Sequence, residues 1–226
     1  MKLLLTSGGI QNPSIHRAMT RLLTKPISEC KALCIPTAGY GHPMVIPERA
    51  WEFISGHGTT PMSELGWKSV GVLELTALPT IDKDRWISWL TDADVLLVNG
   101  GDARYLAYWM RESGFAEVLR NMDHLLWIGL SAGSMVMTPR LGEEFVSPNP
   151  LITGDDSGLG WVDFSIFPHV EHPMLPDNTM AAAEEWAARL GTLAYVIDDD
   201  TAISVVDGQA EVISEGLWRR IEPPGV

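Results

Sequence analysis

A chain of 226 residues is long enough to bury one well-stabilised core without disulfides or metal, so a single domain spanning 1–226 is the default expectation. Sixteen basic residues against twenty-nine acidic ones give a formal net charge of −13, which opposes phosphate backbones and anionic membranes. Nucleic-acid and membrane partners are therefore not expected, and a small neutral or zwitterionic ligand fits better.

The first segment, "MKLLLTSGG", has a three-leucine apolar centre, short of the hydrophobic stretch of a signal peptide, and no later segment approaches a membrane span. The expectation is a soluble cytoplasmic protein. Short apolar runs then recur in "KLLLT" (2–6), "ALCIP" (32–36), "VGVLEL" (70–75), "DVLLVNG" (94–100) and "LLWIGL" (125–130). Continuous rather than alternating apolarity predicts strands buried on both faces, as in parallel sheets. The only cysteines, Cys30 and Cys34 in "CKALC", match neither a paired zinc knuckle nor a C-x-x-C redox motif and read as reduced structural thiols. Between the runs lie helical segments. "NPSIHRAMTRLLT" starts with Asn12 as N-cap and Pro13 at the first helical position, and "DARYLAYWMRESG" runs from a capping Asp102 to Gly114. Strands alternating with helices predict a doubly wound, mainly parallel α/β sheet.

After Pro139 comes a loop-rich stretch, "PNPLITGDDSGLG", then "VDFSIFPH", a helix around "NTMAAAEEWAARLG", and the runs "LAYVI", "TAISVV" and "AEVIS". The last two flank Asp207–Gly208, a strong short-range signal for a C-terminal β-hairpin. Nine tryptophans, among them Trp86, Trp89, Trp109 and Trp127, can build a core or a subunit interface. Core is the preferred reading, and a homodimer stays open.

The chemistry concentrates in a few places. "GLSAG", Gly129 to Gly133, has the G-x-S-x-G pattern between an apolar strand and a helix, the setting of a nucleophile elbow. There Ser131 projects above the sheet edge and the amide of Ala132 faces a developing oxyanion. The alternative is a small-residue turn packing a helix on a strand. "VNGGD" (98–102) is a second glycine turn after a core strand, and loops at neighbouring carboxyl edges converge, so Gly100 and Gly101 are candidates for a second oxyanion donor. A phosphate loop is the weaker reading, because no Walker lysine or G-x-G-x-x-G accompanies it and Asp102 would repel phosphate.

A serine hydroxyl needs a base. Of six histidines, His16, His42, His57 and His124 lie in helices, loops or the wrong end of a strand, whereas His169 in "IFPHVEHP" follows the apolar run "FSIF". A metal pair of His169 and His172 with Glu171 or Asp177 is disfavoured by Pro168 and Pro173, which interrupt the helix such spacing needs. "VIDDDTAIS" places three aspartates after a strand, and Asp199 is the choice over Asp198 and Asp200 for the carboxylate that orients the imidazole; spacing alone leaves Asp163 and Glu171 open, and a solvated turn is the bland alternative.

With these pieces in order, the whole chain resembles the peptidase E and cyanophycinase family of serine peptidases. Their fold is similar to that of class I glutamine amidotransferases, flavodoxin-like, with serine in place of the cysteine nucleophile. The carrying motifs are "VNGGD", "GLSAGS", "FPH" and "DDDTAIS", the last matching a segment that reads D-E-x-T-A in cyanophycinases. The order Ser131, His169, Asp199 differs from the serine–acid–histidine order of α/β-hydrolases, and the resemblance selects Asp199 because it stands where the family has glutamate. Peptidase E has asparagine after the oxyanion glycines and an arginine beyond the histidine suited to an aspartate side chain. Here Asp102 replaces the first, and 171–187 contains no arginine.

The resulting expectation is a serine peptidase that cleaves dipeptides or short peptides through an acyl-enzyme, without cofactor or metal. Ser131 attacks, His169 moves the proton, Asp199 orients His169, and the amides of Gly101 and Ala132 hold the oxyanion. Gly100, Asp102, Glu171 and His172 are the expected substrate contacts, and Asp102 predicts a free α-amine and poor acceptance of aspartate. The rivals are a glutamine-amidotransferase-like amidase and a catalytically silent binding protein of the same fold.

Overall fold

The computed structural model describes residues 1–44, 46–146, 152 and 155–223. The five apolar runs of the first half become β1 (Lys2–Thr6), β2 (Lys31–Ile35), β3 (Ser69–Val72), β4 (Val95–Val98) and β5 (Leu126–Leu130). The second half adds β6 (Ser165–Phe167), β7 (Ala194–Ile197), β8 (Thr201–Val206), β9 (Gln209–Ser214) and β10 (Trp218–Ile221). Seven strands form one sheet in the order β3-β2-β4-β5-β1-β8-β9. The pairings from β3 to β1 are parallel, whereas β8 pairs antiparallel with both β1 and β9. The β8–β9 hairpin turns at Asp207 and Gly208, both with positive φ, as expected for that dipeptide.

Continuous apolarity in β1, β4 and β5 has a direct cause. Successive side chains alternate between two cores, Leu3, Leu5, Leu96, Val98 and Trp127 on one face and Leu4, Val95, Leu97, Leu126 and Ile128 on the other. Helices cover both faces. α1 (Pro13–Leu22) is capped by Asn12, whose side chain accepts the Ile15 N–H at 3.0 Å, and lays Ile15, Ala18, Met19 and Leu22 on the second core. Next come the short α2 (Thr37–Gly41), α3 (Pro47–Ser55) and α4 (Lys83–Asp92). α5 (Ala103–Glu112) presents Leu106, Ala107 and Met110 to the first core, and α6 (Phe115–Leu119) and α7 (Ala132–Met135) follow. No helix among the described residues is long and apolar enough to cross a membrane.

One local expectation is corrected, and a second sheet is added. The run 70–75 is not buried on both faces: β3 lies at the sheet edge with Val70 39% and Val72 49% exposed, and the chain then turns into a 3₁₀ helix over Leu75–Thr80. The strand before His169 is not part of the main sheet. β6 pairs in parallel with β7, and β10 closes that separate three-stranded sheet. α8 (Met180–Leu190), capped by Thr179, buries Ala183, Trp186 and Ala187 on Phe167 and Val196 in a third core. Part of the loop-rich stretch after Pro139, residues 147–151, 153 and 154, lies outside the described residues.

The sequence-level view of the tryptophans holds for Trp86, Trp127 and Trp186, all buried, but not for Trp89, 37% exposed. Both cysteines are free and buried, and burial pushes the Cys34 thiol up to about 12. An aromatic disulfide reagent should therefore titrate no thiol in the native protein and two after unfolding; rapid native reaction at Cys34 would contradict the burial.

Candidate active site

Sheet topology puts four loop segments at one edge. The parallel neighbours β4, β5 and β1 end together, delivering Asn99–Gly101, Ser131 and Ser7 side by side. β8 runs the opposite way against β1, with Ala202 opposite Thr6, so the residues just before β8 land at the same edge. Asp199 is among them. The second sheet supplies the histidine: β6 and β7 run parallel, His169 follows the end of β6, and its neighbour Val170 donates its N–H to the Ile197 carbonyl at the end of β7.

Ser131 stands between β5 and α7 with φ 50 and ψ −109, a strained conformation for a residue with a side chain. The turn closes tightly. A Cβ on Gly129 would lie 2.4 Å from the Gly133 carbonyl oxygen, and one on Gly133 would lie 2.4 Å from that of Val98, so neither position admits a side chain. Hydrogen bonds fix the turn from three directions. The Ser131 N–H donates to the Thr6 carbonyl at 3.0 Å, the Ser134 hydroxyl reaches the carbonyls of Thr6 and Gly129, and the Trp127 indole N–H donates to the Gly133 carbonyl at 2.9 Å.

His169 Nε2 lies 2.9 Å from Ser131 Oγ, and His169 Nδ1 lies 2.6 Å from Asp199 Oδ1. This network assigns the proton to Nδ1, leaving Nε2 as the acceptor toward the serine. His169 itself has φ 57. Ser7, fully buried, accepts the His169 backbone N–H at 2.8 Å and donates to Asp199 Oδ1 at 2.7 Å. Burial alone would raise the Asp199 carboxyl. The hydrogen bond and charge of His169, the hydroxyl of Ser7 and the charge of His172 outweigh it and hold the group below its ordinary value of 3.8.

The three adjacent aspartates divide their work. Asp198 accepts from the Thr201 hydroxyl, the Asp200 N–H and the Leu217 N–H; Asp199 faces the imidazole; Asp200 takes the Asn12 side-chain amide on its carbonyl and carboxylate. Asp163 is exposed on the surface. Near the serine, the Gly100 N–H is occupied by the Asn99 side chain at 2.8 Å, whereas the amides of Gly101 and Ala132 have no partner among the described residues.

The remaining expected substrate contacts fare differently. Gly100 lines the cleft, but Asp102 does not face it: the side chain is buried, 3% exposed, and caps α5 by accepting the Tyr105 N–H at 2.8 Å. The helix start required a cap, and the sequence signal for that cap also described the charge assigned to substrate. Glu171 points away to accept the Met180 N–H at 2.8 Å. His172 stands behind the carboxylate, with Nε2 3.6 Å from Asp199 Oδ2. His169 and His172 do not converge on a common point, since both nitrogens of His169 are engaged by Ser131 and Asp199. Among the described residues no group of three His, Cys, Asp or Glu side chains is disposed to hold a metal ion.

The cleft, about 670 Å³, is walled, beyond Gly100, Gly101, Ser131 and His169, by residues that carried no role in the sequence reading. Gly39, His42, Arg49, Glu52 and Phe53 come from α2, α3 and the loop between them; Glu144 and Phe145 form another wall; Leu175 and Asn178 come from the loop after His169. Ser7 was missed as well. Its one sequence signal was position, directly after a buried strand in "LTSGG".

A serine on a strand-to-helix elbow of a mainly parallel α/β sheet, its hydroxyl against an imidazole–carboxylate pair, is the arrangement of a serine-nucleophile hydrolase. The chain belongs to peptidase family S51, whose sequence model matches residues 3–213, and it is a serine-type peptidase of the peptidase E-like kind. Two solved structures share the fold. One, a protein of Listeria monocytogenes EGD-e assigned as a peptidase E, aligns with a TM-score of 0.65 at 19% identity over 95% of this chain and 98% of its own. The other, a peptidase from an acI-B1 Actinobacterium, aligns with a TM-score of 0.68 at 20% identity over 99% of this chain and 94% of its own. No match was found among curated protein sequences.

The depressed Asp199 carboxyl makes stability depend on pH. A group whose folded pKa lies below its unfolded one contributes fully above the unfolded value of 3.8, and that contribution is lost as pH falls through the folded value. Denaturant unfolding from about pH 6 to pH 2.5 should show the wild type losing its stability advantage over Asp199→Asn as acid protonates the carboxylate. A gap constant with pH would remove Asp199 from the charged network.

Proposed function

We propose that this peptidase hydrolyses dipeptides or short peptides bearing a free amine, in the cytoplasm, by a Ser131–His169–Asp199 triad. The observation that carries the reading is the unbroken hydrogen-bonded line from Asp199 through both nitrogens of His169 to Ser131 Oγ. Ser131 Oγ attacks the scissile carbonyl while its proton passes to His169 Nε2, and the new C–O bond forms as the carbonyl π pair moves to oxygen. That oxyanion is received by the amides of Gly101 and Ala132, which are unengaged among the described residues. The imidazolium then gives its proton to the departing amine, leaving an acyl-enzyme. Water, deprotonated by the same imidazole, releases the second product. Asp199, held as carboxylate, fixes the tautomer and stabilises the imidazolium.

The amidase alternative needs a cysteine at the elbow, and neither cysteine is there. Cys34 is buried with its thiol pushed up to about 12, and Cys30 is buried in the core under α1. Two buried thiols also suit a reducing compartment. Replacing Ser131 with alanine should preserve folding, abolish labelling by a fluorophosphonate probe and lower kcat by roughly 10⁴-fold. Activity within tenfold of wild type would refute the assignment.

The substrate preference rests on the cleft wall rather than on Asp102. Its charged lining, among the described residues, is Arg49, Glu52 and Glu144 with the histidines; Arg49 lies 3.3 Å from Glu52, and Glu144 pairs with Arg189. The one lining arginine is thus already offset by a carboxylate. An ammonium is favoured over an added carboxylate in such a wall. Matched dipeptides should show a higher kcat/KM for a neutral first residue than for aspartate; the reverse order would mean that Arg49 leaves Glu52 to bind the substrate.

A further inference from the structure

We propose that Ser7 is a positioning residue of the catalytic unit, holding base and orienting carboxylate in one geometry through a single hydroxyl. The inference rests on the triad reading above. Ser7 Oγ contacts three atoms: it donates its proton to Asp199 Oδ1 at 2.7 Å, accepts the His169 backbone N–H at 2.8 Å, and lies 3.2 Å from His169 Nδ1. The hydroxyl proton goes to the carboxylate and one lone pair takes the main-chain N–H, while the Nδ1 proton is directed to Asp199 and Ser7 Oγ stands beside it. Asp199 Oδ1 accepts both the Ser7 hydroxyl and the His169 Nδ1–H at 2.6 Å.

The arrangement answers a mechanical problem. His169 adopts φ 57, which a residue with a β-carbon keeps only when its surroundings over-determine it. Its N–H points inward to Ser7, buried at 0% exposure on the first residue after β1, a strand of the sheet's centre. The histidine follows β6 of the second sheet and the aspartate lies on the β7–β8 connection that leads from that sheet into the main one, whereas the nucleophile comes from β5 inside the main sheet. Ser7 ties the two groups of elements together. Gly8 lets the aspartate come close: a Cβ there would stand 2.7 Å from Asp199 Cβ.

Among the described residues, other charged groups do not reach the hydroxyl. His172 faces the far oxygen of Asp199 at 3.6 Å, Asp198 is turned to Thr201 and Leu217, and Asp200 is turned to Asn12. The function assigned to Ser7 is geometry, not proton transfer to substrate.

The test measures peptide hydrolysis and fluorophosphonate labelling for Ser7→Ala, Asp199→Asn, the double variant and Ser131→Ala. Loss of the tie should lower kcat by roughly 10²-fold with KM within about threefold, since a displacement near 1 Å of an aligned group costs that much. In the Asp199→Asn background, Ser7→Ala should add less than about threefold, because members of one unit act non-additively. A Ser7→Ala kcat within threefold of wild type, or losses that multiply in full, overturns the proposal. Full activity in Ser131→Ala would instead overturn the triad reading itself. Should Ser7→Ala not fold, Ser7→Thr and Ser7→Cys carry the comparison: the hydroxyl variant should hold kcat within about tenfold and exceed the thiol variant, a weak donor, and equal kcat for the two overturns the proposal.

Discussion

The Ser131 N–H donating to the Thr6 carbonyl, with Ser7 immediately beyond, is the join on which the rest of the site depends. The carboxyl end of β1 reaches in two directions. Through Thr6 it holds the elbow, whose serine has φ 50; through Ser7 it holds the histidine, whose φ is 57. Two residues in the left-handed region are costly, each on the order of 1–3 kcal/mol, and the burial of β1 between β5 and β8 supplies the rigidity that keeps them there. Strain and positioning are therefore properties of the same strand end.

Asp199 shows how topology substitutes for side-chain length. The family resemblance places a glutamate where this chain has an aspartate, one methylene shorter, yet the carboxylate lies 2.6 Å from the imidazole. β8 turns back along β1 immediately after the aspartate, and the bare backbone at Gly8 admits close approach. The flanking aspartates each have separate hydrogen-bond donors, so three successive carboxylates stand without sharing a site.

Much of this was legible in the sequence, because local signals coincided with global demands. The central apolar runs became buried strands, Asn12 and Asp102 became caps, and Asp207–Gly208 became a hairpin turn. The elbow showed itself through glycines that sterics requires. Asp102 misled because one residue satisfied two patterns: a helix cap and a charge beside oxyanion glycines look alike in one dimension, and only burial separates them. β3 misled because an edge strand can be apolar and exposed. Ser7 had no pattern to announce it, since its partners His169 and Asp199 are 162 and 192 residues away. Contacts at that separation follow from strand order, which sequence periodicity does not encode.

The same distinction separates the strand-end cluster from the wall of the cleft. Ser131, His169, Asp199 and Ser7 sit at the ends of buried strands and bond to one another, so a substitution at one of them disturbs the others. The cleft wall is made largely by α2, α3 and loops, and it bears exposed or half-exposed side chains such as His42, Arg49 and Glu52. These share no hydrogen bond with the four strand-end residues among the described contacts. Changes on α3 can therefore retune what the cleft accepts while leaving the strand-end geometry in place, and likeness to peptidase E in the catalytic motifs does not by itself transmit its substrate preference. The wall and the strand ends are thus separate in the structure: one is carried by α2, α3 and loops, the other by the buried sheet.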